Sequence, residues 1–268
     1  MKSLQARLLA MLAALVLATT AHAGRSCEAR KLSPQALQEG LALAERTHRA
    51  LETEHARSGA RVVLLARAGQ DLSRWNMHYS HVGWAYRAER EGQPAWRVVH
   101  KLNHCGSAES AVYRQGLGEF FLDDLWRFEA AWAVPSAQVQ ESLLPVLRDD
   151  RRAAVMHQRA YNLVSYPWAL KYQQSNQWAI ETLAAAMESQ ATTRERAQAW
   201  LRFKGYEPAV LHIRPLTRLG GRVSAANVAF DDHPDEKRFA DRIETVSADS
   251  VFTWLRQSRL AGEPVTIR

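Results

Sequence analysis

Cysteine is nearly absent. The 268 residues contain two, Cys27 and Cys105. So few thiols exclude a disulfide-dense scaffold and a zinc site built from four thiolates. Beyond residue 23 no apolar run is long enough to cross a bilayer as a helix. Internal repeats, low-complexity tracts and nucleic-acid motifs are missing too, which removes solenoids and the usual RNA and DNA binders. The basic excess, a formal net charge of +7, is scattered rather than blocked and reads as a solvated surface. "GLGEFFLDDLWRF", residues 116–128, has two glycines but lacks the spacing of a phosphate loop, so it reads as core.

What is present begins with an export pattern. Lys2 and Arg7 precede "LLAMLAALVLA", residues 8–18, and "AHA", residues 21–23, fits a signal-peptidase site. The sequence predicts a signal peptide over 1–23, cleavage before Gly24, a periplasmic or secreted location, and one domain over 24–268. Losing Lys2 and Arg7 takes the charge from +7 to +5, since residues 1–23 hold no Asp or Glu. In an oxidising compartment Cys27 and Cys105 are expected to form a disulfide. The competing reading makes Cys105 a nucleophile.

Hydrophobic patterning predicts α+β, an antiparallel sheet packed with helices. Ser33-Pro34 opens a helix with Leu37, Leu41, Ala44, His48 and Leu51 on its apolar stripe, closed by Gly59. Residues 61–67, 79–87, 95–102 and 209–216 read as strands. Residues 136–150 read as a helix or as a helix broken by Pro145, and residues 175–189 and 193–206 read as helices, with Ser175 as the cap of the former and Gly205 ending the latter.

"YSHVGWAYR", residues 79–87, places a histidine inside a strand of apolar and aromatic residues. With a symmetric turn after it, Ala88 faces Gln93 and His81 faces His100. Opposed residues of an antiparallel pair point to one side, so two histidines converge. The bland alternative is a pair of half-buried histidines capping backbone groups. A metal held by His81, His100 and His104 is a further reading. Asp231, Asp232 and His233 read as a turn and cap. Tyr161, Tyr166, Trp168 and Tyr172 read as core or as the wall of a groove.

"SHVGWAYR", then "AWRVVHKL", then a helix opening "SNQWAIETLA" resemble the circularly permuted papain-like superfamily, which includes NlpC-type peptidases and lecithin:retinol acyltransferase-like proteins. Over residues 64–75 through 230–246 the wording also resembles a bacterial family known as domain of unknown function 2145. The papain-like resemblance implies that His81 and His100 occupy the two strand positions and that Asn176 matches the Asn of an Asn-Cys motif. Gln177 stands where the nucleophilic Cys is expected. The implied function is a degenerate site, formed by His81, His100, Asn176 and Gln177, that binds a peptide or acyl group of the cell envelope without turnover. It needs no cofactor, no metal and no nucleic acid. The alternatives are a thiol hydrolase or acyltransferase using Cys105 with His81 or His100, and a structural or partner-binding envelope protein.

Overall fold

A computed structural model describes residues 32–268. Helix α1 (Pro34–Ser58) starts where Ser33 Oγ accepts the amide of Ala36, with Pro34 in the first turn, and it stops at Gly59, whose φ of 74° few side chains tolerate. Its inward stripe is shifted from the expected one. Gly40, Leu43, Ala44, Thr47 and Leu51 are buried, whereas Leu37 and Leu41 are exposed. Gly40 decides this, because a Cβ there would lie 3.1 Å from the Phe121 carbonyl oxygen. A side chain there would push the neighbouring atoms by a few tenths of an ångström, and glycine avoids this.

The main sheet is antiparallel throughout. Its strands are β1 (Val62–Ala68), β2 (His81–Arg90), β3 (Gln93–Asn103), β4 (Ser110–Gly116), β5 (Arg127–Ala133) and β8 (Val265–Ile267). They lie side by side in the order β4-β3-β2-β1-β5-β8. One face carries Val63, Leu65, Ala85 and Val98 and packs on α1 and α2 (Leu117–Phe121). The other carries Leu64, Ala66, Val82 and Trp84. It packs on α3 (Ala137–Arg148), α5 (Ser175–Met187), α6 (Arg194–Phe203) and α9 (Ala248–Gln257). Between α3 and α5 lies the single turn α4 (Asp150–Ala153). Both faces are covered, which is why β1 is buried along its whole length without alternation.

A two-stranded sheet, β6 (Ala209–His212) with β7 (Arg242–Thr245), forms a smaller layer with α7 (Pro215–Ser224) and α8 (Asp235–Phe239). Leu211, Ile213, Val228, Phe230 and Ile243 are its core. The strand expected over 209–216 ends at His212, and Pro215 begins a helix instead, as its fixed φ favours. Among the described residues no helix is long and apolar enough to cross a membrane. Residues 1–23, and the signal peptide expected there, lie outside the described residues.

Candidate functional site

The β2–β3 hairpin closes through two residues, Glu91 (φ 53°) and Gly92 (φ 74°). Positive φ at both positions is the turn whose twist matches antiparallel strands. It pairs Arg90 with Gln93 and Ala88 with Ala95, so Ala88 does not face Gln93 as expected from a wider symmetric turn. The register moves by two, not by one. Parity is preserved, and His81 and His100 still share a face, as diagonal rather than direct neighbours. Gly83 makes the diagonal passable. A Cβ there would sit 3.0 Å from His100 Cβ and 2.6 Å from Val98 Cγ1.

Across that gap His81 Nε2 lies 2.8 Å from His100 Nδ1, and His100 Nε2 lies 2.8 Å from Gln115 Oε1 on β4. The Gln115 oxygen only accepts, so His100 carries its proton on Nε2. His100 Nδ1 therefore accepts from His81 Nε2–H. Phe120 packs against both rings, with centroids 5.9 and 5.2 Å away. Burial, reinforced by the Arg67 cation, pushes the His100 imidazole down to about 3, against a smaller upward pull from Gln115. His100 is thus neutral at ordinary pH and holds the His81 ring in orientation.

The start of α5 meets the beginning of β2. Gln174, not Ser175, is the cap. Its Oε1 accepts the Asn176 amide at 2.8 Å, and its Nε2 donates to Thr245 Oγ1 at 3.2 Å and to the Val246 carbonyl. Asn176 accepts the Val82 amide at 2.9 Å and donates to the carbonyls of Val246 and Ser80 at 3.2 and 3.4 Å. It stitches helix to strand. Ser175, in the first turn, has its Oγ 3.5 Å from the Tyr161 hydroxyl.

Gln177 points elsewhere. Its Oε1 accepts from Ser165 Oγ at 2.8 Å, and its Nε2 donates to the Pro167 carbonyl and to Glu181 Oε1, each at 3.1 Å. Glu181 is wholly buried and also accepts from Gln173 at 2.5 Å, Arg194 Nε at 2.7 Å and Gln198 at 2.8 Å. Lys101, equally buried, donates to Gln173 Oε1 at 2.7 Å and to the Gln158 carbonyl at 2.6 Å. Burial, with Arg194 nearby, pushes its amine down to about 6, against the pull of Glu181.

Two cavities meet at His81. The larger, ≈ 570 Å³, is lined by apolar residues such as Leu72, Trp75, Met77, Ile213 and Phe230, and also by Asp71, Arg74 and Asp124. The smaller, ≈ 480 Å³, is lined by polar residues including Arg67, Gln70, Asn103, Asp123 and Asn227, together with Cys105. His81, Ser175, Tyr161, Ser80, Gln70, Gly69 and Leu163 belong to both. Asn176 borders the larger cavity, while His100 and Gln177 border neither. The structure therefore joins His81 with His100 and with the start of α5, but the α5 side chain it places at the junction is Ser175.

Sequence reasoning did not single out Gln115, which left no signal, and it took Ser175 for a cap. Tyr161 was visible as a groove residue. Tyr166 packs on His233 and Trp168 on Tyr206. His233 bonds Asp232 at 3.0 Å and the Glu244 carbonyl at 2.9 Å, while Asp231 pairs with Lys171 at 2.6 Å. Among the described residues no three His, Cys, Asp or Glu side chains could together hold a metal ion. The Cys27–Cys105 pairing involves Cys27, which lies outside the described residues.

The fold and the site define an antiparallel α+β protein with a histidine pair and a helix start at a split cavity. Over residues 54–255 the chain matches the family model described as "Uncharacterized protein conserved in bacteria (DUF2145)", and it belongs to that family. No curated protein and no solved structure matches it.

Proposed function

We propose that the chain binds an acylated group, an acyl peptide or related ester of the cell envelope, with its carbonyl at His81 and Ser175. The observation that carries this reading is the position of those two residues where a cavity richer in apolar side chains joins one richer in polar side chains. An acyl chain suits the first cavity and a polar headgroup the second. The start of α5 favours an oxygen-rich group beside it. The permuted papain-like reading is supported by the same juxtaposition of helix start and histidine-bearing strand. Export to the envelope is supported by the pattern of residues 1–23. The site works as a receptor without turnover, because no thiol stands on α5. An oxidised Cys27–Cys105 pair, expected after export, keeps Cys105 out of the chemistry.

Trp75 and Trp126 line the larger cavity and report its filling. Titration with an N-decanoyl dipeptide is expected to change tryptophan fluorescence saturably. His81→Ala is expected to weaken binding about tenfold, roughly 1.4 kcal/mol. A parent protein that shows no change up to millimolar ligand removes the reading.

One observation favours a second reading, acyl transfer by serine. Ser175 lines both cavities with His81, and its attack on a carbonyl, with the hydroxyl proton passing to His81 and on to the leaving group, would give an acyl-serine and release that group. A fluorophosphonate probe separates the two. Labelling that vanishes in Ser175→Ala selects the enzyme, and an unlabelled parent selects the receptor.

A further inference from the structure

Helix α7 is amphipathic in the wrong sense for a soluble protein. Leu216, Leu219 and Val223 are 83%, 61% and 83% exposed. At 3.6 residues per turn they fall within an arc of about 60°. The opposite side faces the protein. There Arg218 donates to the Ile213 carbonyl and to Asp241, both at 2.6 Å, and Thr217 and Gly221 form part of the wall of the larger cavity. The helix thus turns a polar and small-residue face inward and an aliphatic stripe outward. Three such residues on one stripe, beside a cavity wall, form a patch rather than scattered exposure.

The charge around the stripe says what covers it. Residues 208–230 contain no Asp or Glu, while Arg214 and Arg222 are exposed at the start and near the end of the helix. Arg218 is neutralised internally by Asp241. An aliphatic stripe bordered by Arg222, in a segment with no acidic residue, is the pattern of a helix lying in the interface of an anionic bilayer.

We propose that α7 docks the protein on an anionic lipid surface through Leu216, Leu219 and Val223, with Arg222 on the headgroups. The docked helix is also a wall of the acyl-sized cavity, so docking brings that cavity to the bilayer. The contact itself does not depend on what the cavity holds.

The test is co-sedimentation with phosphatidylglycerol–phosphatidylcholine vesicles and with pure phosphatidylcholine vesicles at low salt. The parent is expected to partition onto the anionic vesicles and to be released by salt. The triple substitution Leu216→Ser, Leu219→Ser, Val223→Ser is expected to weaken this at least tenfold, and Arg222→Gln a few-fold. Parent and variants share the same chain, so any contribution of the apolar run at residues 8–18 is common to all. Circular dichroism melting shows that the variants fold, and Arg222→Gln alone decides if the triple variant does not. Equal binding by all variants, or no preference for anionic vesicles, overturns the proposal. So does a dimer in sedimentation velocity that the serine variant dissolves while vesicles capture neither protein. The N-decanoyl dipeptide titration of the serine variant reads the cavity separately, because the three exposed side chains do not line it.

Discussion

Two polar clusters flank the first turn of α5, and they differ in one respect. Around Glu181 the donors Gln173, Gln177, Arg194 and Gln198 close on a carboxylate with no exposure. Around His81 the polar groups line space that a ligand can enter. The first cluster is satisfied by itself, as buried polar groups must be. The second keeps unused room beside a serine, a tyrosine and a histidine. Burial and polarity alone do not mark a site, and the distinction lies in whether the cluster borders a cavity. Gln177 and Ser175, two positions apart, fall on opposite sides of that line.

The comparison breaks most visibly at Glu181. Glu181→Ala takes the carboxylate from the Arg194 cation and one acceptor from each of three amide groups, and is expected to cost about 3–5 kcal/mol in urea denaturation. A loss under about 1 kcal/mol would mean that the cluster is not structural.

Acid should act through the other cluster. The folded His100 sits near 3 and an unfolded histidine near 6.5, so the unfolded chain binds the extra proton between these values. Its contribution is complete above pH 6.5 and is lost as pH falls toward 3. Between pH 7 and 4 the parent is expected to lose on the order of 2–3 kcal/mol through this group. His100→Gln should flatten that part of the profile, and parallel urea midpoints at all pH values would contradict it. His157, pushed down to about 4 chiefly by burial, acts in the same direction and remains in both proteins.

The smallest effect sharpens the contrast. Gln177→Ala removes hydrogen bonds to Ser165, Pro167 and Glu181 and is expected to cost about 1–2 kcal/mol of stability. N-decanoyl dipeptide affinity should stay within twofold of the parent. A large loss of affinity would return Gln177 to the site.

Much of this was legible in the sequence where one physical signal dominated. The α1 cap, the apolar β1 and the hairpin strands followed from capping chemistry and β-branched content. Strands β4 and β5 were not read, because "SAVYRQG" is a half-exposed edge and "RFEAAWA" is alanine-rich. At α5 the cap is a glutamine, a residue type that seldom caps, so the serine after it took that role in the sequence reading. As a cap, Ser175 is expected to turn its oxygen back to the backbone amides, which sets it aside as a nucleophile. The histidine pair survived a wrong turn width because a shift of two leaves side chains on the same face.

The bond from the Val82 amide to Asn176 Oδ1 also has a consequence in time. It joins positions 94 apart in the chain. Closing a loop of that length costs about 4 kcal/mol of chain entropy beyond the constant term. The histidine hairpin needs only local pairing, with Glu91 and Gly92 at its centre, and can form early. The helix start can reach it only once nearly a hundred intervening residues are in place. During refolding the two halves of the site should therefore mature separately, the hairpin amides gaining protection from exchange before the amide of Val82 does.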